Sequence, residues 1–115
     1  MDGEISAEGL WERIRGDDAV RIVDIRSPER FGRGHIPGSE NVPFAELTGR
    51  VERFAGEEHV VTVCPHGKAS RQAARLIGSF EGFDGRVESL ASGIEGWSYE
   101  LKADEGGSEG PDAPF

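Results

Sequence analysis

The spacing of apolar residues changes from a strand-like to a helix-like pattern in the middle of the chain. Residues 60–63 form an unbroken run, Val-Val-Thr-Val, which is typical of a buried strand. Beyond residue 70 the apolar positions fall at helical spacing, at Ala73, Ala74, Leu76, Ile77 and Phe80. The pattern predicts a strand over 60–63 and a helix over 71–80, joined by a short loop that begins at Cys64.

Strands and helices alternate in the same way along the rest of the chain. Apolar or alternating segments bounded by turn residues predict strands at Ile5, 19–25, 60–63 and 87–91. Helical spacing and capping residues predict helices after Ser6, after Ser27-Pro28, from Pro43 to Gly56, over 71–80, and around Trp97 and Leu101. This order predicts an α/β fold of three layers, in which helices cover both faces of a mainly parallel sheet.

The length of 115 residues suits one domain with a single packed core. We expect this domain to span residues 1–101. The segment 102–115 is rich in Gly, Pro, Asp and Glu and offers little apolar surface. We therefore expect it to be an acidic, flexible tail.

The loop after the central strand contains the only cysteine of the chain, Cys64. Gly67 can adopt backbone angles closed to other residues, Pro65 stiffens the first turn, and Ser70 is a candidate N-cap for the next helix. Such a loop can direct several N–H groups, and the positive end of a helix, at one point. Together with the Lys68 cation, this environment would lower the pKa of Cys64 and supply the nucleophilic thiolate. A lone cysteine at a strand end is also often a small buried apolar residue, and the loop alone leaves both interpretations open.

Three ordered motifs within residues 5–101 resemble the rhodanese-like sulfurtransferases. The active-site loop of that family is similar to Cys64-x-x-Gly67-x-x-Ser70. The other two motifs are Ile-Val-Asp-Ile-Arg at 22–26 with Gly-His-Ile-Pro-Gly-Ser-Glu-Asn-Val-Pro at 34–43, and Gly-Ile-Glu-Gly-Trp at 93–97. One position departs from the family pattern, because many members carry an arginine where this chain has Ala69.

The resemblance implies the same α/β architecture, with a further short strand at 40–42 that makes the sheet five-stranded, and it implies a sulfur-transfer cycle. In that cycle the Cys64 thiolate takes the sulfane sulfur of a donor such as thiosulfate, holds it as a persulfide, and passes it to a thiol or to cyanide. It implies no metal and no organic cofactor. The substrate would contact the loop residues Pro65, His66, Gly67, Lys68, Ala69 and Ser70.

Two other functions stay open. In the first, Cys64 belongs to a sulfur carrier or binding module that receives sulfur only from a partner protein in a sulfur relay, which the absent arginine at Ala69 favours. In the second, the chain is a phosphatase or arsenate reductase of the same fold. Those relatives resemble Cys-x-x-x-x-x-Arg, whereas the sixth residue after Cys64 is Ser70, so the sequence favours this alternative less.

Two polar residues outside the loop are further candidates. Arg26 follows the strand at 19–25, at the sheet edge where ligands of open α/β sheets gather, and we expect it either to bind the substrate anion or to pair with Asp24. His35 could be a general acid or base, although a hydrogen bond to the backbone of its own turn is the expectation we favour.

The charge and the cysteine count exclude several other classes. A net charge of −9 argues against nucleic-acid binding, and one cysteine excludes an internal disulfide. The sequence shows no metal-ligand spacing, no signal-like N-terminus and no run of membrane-spanning length, so we expect a cytoplasmic protein.

The acidic composition also raises the hypothesis of a high-salt cytoplasm. Only two lysines stand beside 11 arginines, and molar salt would screen the repulsion of an acidic, halophilic surface. An ordinary acidic domain fits the charge equally well. If the halophilic hypothesis holds, the melting temperature rises between low and molar salt, and a melting temperature that does not rise excludes it.

Overall fold

The computed structural model of the protein describes residues 2–103. Its strands are β1 (Asp2–Ile5), β2 (Arg21–Asp24), β3 (Glu40–Asn41), β4 (His59–Val63) and β5 (Arg86–Leu90). Its α-helices are α1 (Ala7–Arg15), α2 (Pro28–Arg33), α3 (Phe44–Arg50) and α4 (Ala69–Ser79). Two short 3₁₀ helices span Val51–Phe54 and Ile94–Gly96.

The five strands form one parallel sheet in the order β1-β5-β4-β2-β3. All five residues of β4 are buried, in agreement with its unbroken apolar run at the centre of the sheet. The predicted α/β fold with a five-stranded parallel sheet is therefore confirmed. The strand predicted over 19–25 is shorter, since regular pairing covers only Arg21–Asp24.

Alternate side chains of β4 enter two apolar clusters on opposite faces of the sheet. Val60 packs in a cluster with Leu47 of α3 and Ile77 of α4. Val61 packs on the other face in a cluster with Leu10 of α1. Each face is thus covered by helices, which gives the three layers that the alternating sequence pattern predicts.

The first two helices begin where their capping residues predict. The Ser6 hydroxyl accepts a hydrogen bond from the Gly9 N–H at 2.9 Å, and α1 starts at the next residue. The Ser27 hydroxyl accepts from the Arg30 N–H at 3.3 Å, with Pro28 at the first helical position of α2.

The helix predicted around Trp97 and Leu101 is wrong. After the 3₁₀ turn Ile94–Gly96 the chain has no further helix up to residue 103. The Trp97 indole N–H donates to the Glu100 carbonyl at 3.0 Å, and Lys102 exchanges two backbone hydrogen bonds of 2.8 Å with His35. These contacts satisfy the backbone without helical hydrogen bonds, and they leave Trp97 buried but Leu101 45% exposed.

Of the segment 102–115, predicted to be a flexible tail, only residues 102 and 103 lie among the described residues. Lys102 forms an isolated antiparallel bridge with His35, which lies in the connection between α2 and β3 and outside the five strands. None of the helices in residues 2–103 has the length and apolar character needed to cross a membrane.

Parallel pairing brings the carboxyl ends of the strands to one edge of the sheet. The Ile25 N–H, just beyond β2, donates to the Val63 carbonyl at the end of β4 at 2.9 Å. The segments that follow β2 and β4 therefore start side by side, at the edge where open α/β sheets bind ligands.

Candidate active site

Cys64 occupies the first position after β4, as the sequence predicts, and is 2% exposed. The four residues from Pro65 to Lys68 turn the chain from the sheet into α4, which begins at Ala69. They fold around the sulfur, so that Sγ lies at the base of a loop.

Gly67 supplies one of the hydrogen bonds to the sulfur. Its N–H donates to Sγ at 3.0 Å, which requires a backbone φ of +83°. A Cβ at this position would lie 2.2 Å from the carbonyl oxygen of Ala91. Glycine is therefore needed both for the backbone conformation and for the close approach of the loop to the segment after β5.

Ser70 is not the N-cap of α4, contrary to the sequence-based prediction. The helix begins at Ala69, and Lys68 occupies the cap position without a side-chain hydrogen bond. The Ser70 hydroxyl is buried in the first turn of the helix and lies 3.2 Å from Cys64 Sγ. The side chain thus contacts the cysteine instead of the free N–H groups of the helix.

Ser89 extends this contact into the sheet. Its hydroxyl on β5 lies 2.6 Å from the Ser70 hydroxyl, and both side chains are fully buried. When Cys64 is a thiolate, Ser70 donates its proton to the sulfur and accepts one from Ser89. Such a chain of hydrogen bonds polarises along its length, which strengthens the bond to the sulfur.

The surroundings lower the pKa of the Cys64 thiol. Burial alone raises this pKa, because it disfavours the charged thiolate, but hydrogen bonds outweigh the effect of burial. The donors are the Ser70 hydroxyl and the backbone N–H groups of Ser70, Gly67 and His66. The predicted lowered pKa is therefore present, but it comes from hydrogen bonds, and the Lys68 cation is not among its causes.

We expect Ser70→Ala to slow the alkylation of Cys64 several-fold at neutral pH. The thiolate then loses the donor that lowers its pKa most, so the rate should reach its midpoint at higher pH than in the wild type. The measurement is the rate of modification by iodoacetamide as a function of pH, followed by intact mass.

Ser79→Ala is the matched control for this prediction. The Ser79 hydroxyl is exposed at the end of α4 and donates to the Leu76 carbonyl at 2.9 Å. Its loss should leave the pH profile unchanged. Equal midpoints for Ser70→Ala and the wild type would show that the hydroxyl does not stabilise the thiolate.

The 93–97 motif holds the cysteine loop from the other side. The Ile94 N–H donates to the Cys64 carbonyl at 2.8 Å, and the Glu95 N–H donates to the Pro65 carbonyl at 3.0 Å. Gly93 has a φ of +67°, and a Cβ there would lie 2.3 Å from the Pro65 carbonyl oxygen. The glycine of this motif therefore lets two backbone segments meet and fixes the start of the loop.

The remaining loop residues differ in their access to solvent. His66 and Lys68 are exposed, whereas Pro65 and Ala69 are partly buried. Lys68 is thus available to attract an anion. Their predicted contacts with a substrate stay predictions.

Arg26 lies close to the site but is largely occupied by internal partners. Its Nη2 donates to Asp24 Oδ2 at 2.7 Å and to the Gly34 carbonyl at 2.7 Å. Asp24 is 1% exposed, so its carboxylate needs this partner. The ion pair that the sequence allowed is present, while Arg26 also lines a groove beside Pro65.

His35 makes the backbone hydrogen bond that we favoured from the sequence. Its Nδ1 lies 2.8 Å from the Phe31 carbonyl, and its ring stacks on Phe31. Within residues 2–103 no three His, Cys, Asp or Glu side chains come together in a way that could hold a metal ion.

Sequence reasoning missed Ser89, Arg30 and Arg33. Ser89 reaches the site through the pairing of β5 with β4, which no local pattern reveals. Arg30 and Arg33 are exposed on α2 and line the groove beside Pro65. Their three-residue spacing, which places both on one side of α2, was the available signal.

Comparison with known proteins gives a consistent family assignment. The model of the rhodanese-like domain family matches residues 6–100. A thiosulfate sulfurtransferase, GlpE, of Glaesserella parasuis is 33% identical over 94 residues, which are 82% of this chain and 84% of that protein.

A second curated relative is longer than this chain. The putative sulfur carrier protein YrkF of Bacillus subtilis is 28% identical over 95 residues, 83% of this chain, and the match spans only half of that protein. Among solved structures, the human single-domain sulfurtransferase TSTD1 superposes with a TM-score of 0.71 at 28% identity, covering 82% of this chain and 93% of that one.

Proposed function

We propose, since the chain belongs to the rhodanese-like domain family, that it transfers sulfane sulfur from a donor such as thiosulfate to a thiol or cyanide through a persulfide on Cys64. The observation that carries this proposal is the environment of Sγ. The Gly67 N–H donates to Sγ at 3.0 Å, the Ser70 hydroxyl lies 3.2 Å away and donates to the sulfur once the thiol is ionised, and both lower the pKa of the thiol. A thiolate is the form that attacks sulfur.

The first half of the cycle loads the cysteine. The Cys64 thiolate attacks the outer sulfur of thiosulfate, a bond forms between the two sulfurs, and the bond between sulfur and the sulfonate group breaks. The electron pair of that bond leaves with sulfite. No proton, metal or redox cofactor is needed to balance the step.

The second half returns the enzyme to its starting state. A thiolate or cyanide attacks the outer sulfur of the persulfide and takes it as a persulfide or as thiocyanate, while the electron pair of the S–S bond returns to Cys64. The Gly67 N–H and the Ser70 hydroxyl stabilise the charge each time it comes back to Sγ, in the way an oxyanion hole stabilises developing charge.

The other loop residues have separate roles in shaping the loop and in binding the donor. Pro65 and Ala69 shape the loop, and the exposed Lys68 and His66 meet the incoming donor, with Lys68 attracting its negative charge. Arg26 supports the site chiefly through Asp24 and through the carbonyl of Gly34. A reducing compartment such as the cytoplasm would keep the single thiol available between cycles.

Steady-state kinetics test this proposal. We expect thiocyanate to form from thiosulfate and cyanide with ping-pong behaviour, because sulfite must leave before cyanide reacts. A rate that requires both substrates bound at the same time would contradict a persulfide intermediate.

A sulfur carrier fed by a partner protein is the second candidate. Ala69 leaves the loop without the arginine that many family members have, and the chain resembles a putative sulfur carrier protein. Poor turnover of thiosulfate, together with rapid transfer from a protein persulfide to Cys64, would favour this candidate. Hydrolysis of an aryl phosphate that depends on Cys64 would instead revive the phosphatase alternative, although Ser70 occupies the position of its arginine.

A further inference from the structure

A groove of about 490 Å³ opens beside the cysteine loop. It lies between α2 and the turn that follows β5. Its lining residues are Arg26, Arg30, Arg33, Gly34, Pro65, Ile94, Glu95 and Leu101. Pro65, the residue after Cys64, is the one residue of the cysteine loop in this lining, so the groove adjoins the loop that holds the reactive sulfur.

Two of the three arginines in the groove are available to a ligand. Arg26 is bound to Asp24 and Gly34, but Arg30 has no carboxylate within 4.0 Å among residues 2–103, and both Arg30 and Arg33 are exposed. Arg33 approaches Glu29 at 3.8 Å, in an exposed pair that contributes little. The groove thus presents cations on a chain whose net charge is −9.

The rest of the lining adds one anion and an apolar contact. Glu95, on the turn that follows β5, is exposed, and its single negative charge offsets only part of the positive charge of Arg30 and Arg33. Leu101 is 45% exposed, and Ile94 is partly buried beside it. A ligand with a short carbon chain and an anionic end group matches this combination.

The groove has room for a ligand larger than thiosulfate. Sites for organic ligands typically measure about 300–1,000 Å³, and this groove falls within that range. Guanidinium groups bind carboxylates and phosphates with paired hydrogen bonds. We propose that the groove selects the sulfur acceptor, and that the acceptor is a thiol bearing a carboxylate or phosphate held by Arg30 and Arg33.

This inference rests on the proposed function, since it names the acceptor for the persulfide. The acceptor thiolate attacks the outer sulfur while its anionic end lies against the arginines. The chemical step itself is the one already given for a thiol acceptor. What the arginines add is a preference among thiols of similar size.

The first test compares two thiols of similar size and different charge. Cys64 is loaded with thiosulfate, excess donor is removed, and the loss of the added sulfur to mercaptopropionate or to mercaptoethanol is followed by intact mass. In the double variant Arg30→Gln/Arg33→Gln we expect the ratio of the anionic to the neutral rate to fall roughly five- to tenfold. The intrinsic reactivity of each thiol cancels, because the ratio is compared between proteins.

Arg15→Gln is the matched control. Arg15 is an exposed arginine at the end of α1, on the opposite edge of the sheet, beside Glu12 and Gly16. The ratio should stay at the wild-type value in this variant. A ratio that is unchanged in the double variant, or that falls equally in Arg15→Gln, would overturn the proposal.

The second test needs no persulfide. Iodoacetate and iodoacetamide alkylate Cys64 by the same reaction but differ in charge, so the ratio of their rates reports the attraction of the groove for an anion. We expect this ratio to fall in the double variant, and to fall in the wild type as salt screens the arginines. An unchanged ratio would overturn the proposal that the groove binds an anion, even if sulfur transfer is confirmed. Failure to load sulfur beside a changed ratio would overturn the proposed function, and with it the acceptor role, but would leave an anion-binding groove.

Discussion

Replacement of Cys64 by serine is expected to reduce sulfur transfer by at least about a thousandfold. The hydroxyl is a far weaker nucleophile towards sulfur than a thiolate, and it cannot form a persulfide. The substitution changes one buried atom, at a position that is 2% exposed, and leaves the Gly67 N–H and the Ser70 hydroxyl in place. The fold should therefore persist while the activity is lost.

Thiocyanate formation from thiosulfate and cyanide measures the loss. The melting temperature of the serine variant, which should stay near that of the wild type, shows whether the protein is still folded. Residual transfer within tenfold of the wild type by a folded variant would mean that the chemistry occurs elsewhere.

Gly67→Ala is expected to have the second largest effect. Its Cβ would lie 2.2 Å from the Ala91 carbonyl oxygen at a φ of +83°, so the loop and the segment after β5 must separate. We expect a loss of about 2–4 kcal/mol in the free energy of unfolding, from the strained φ and the overpacking together. The Gly67 N–H also moves away from Sγ, so sulfur transfer should fall about a hundredfold.

Gly38→Ala separates the cost of the strained φ from the cost of the contact with Ala91. Gly38 has nearly the same φ, +86°, but a Cβ there meets no atom within 4 Å. This variant should lose only about 1 kcal/mol and keep its activity. Urea unfolding and thiocyanate formation are measured for both variants, and equal losses would show that the contact with Ala91 is unimportant.

Local patterns were sufficient to predict the parts of the fold that depend on local chemistry. The run at 60–63 predicted the central strand, and Ser6 and Ser27 predicted the starts of two helices. The position of Cys64 between a strand and a helix followed from the same patterns. Elements whose conformation depends on distant partners were predicted less well.

Ser70 and Trp97 illustrate this limit. A serine ahead of a helical pattern suits an N-cap, yet the hydroxyl of Ser70 lies against Sγ and the helix begins at Ala69. Trp97 suits a helix, yet its segment pairs instead with His35 through Lys102. In both cases a tertiary contact satisfies the group that the local pattern would assign to a helix.

The site shows the same division between local and distant contributions. The thiolate environment was predictable because Gly67 and the start of α4 follow Cys64 directly in the chain. Ser89 and the 93–95 turn reach the loop only through the pairing of β5 with β4 and through backbone contacts. The arginines of α2 likewise meet the loop only in the folded chain.

The intact mass of the protein after incubation with thiosulfate tests the central claim most directly. We predict that the wild type gains one sulfur atom, that cyanide removes it, and that Cys64→Ser gains nothing. A wild-type protein that gains no sulfur from thiosulfate would contradict the account of Cys64 as a thiosulfate-fed persulfide carrier. Rapid alkylation of Cys64 in that case would direct attention to a protein donor, and an inert thiol would make the cysteine a structural residue only.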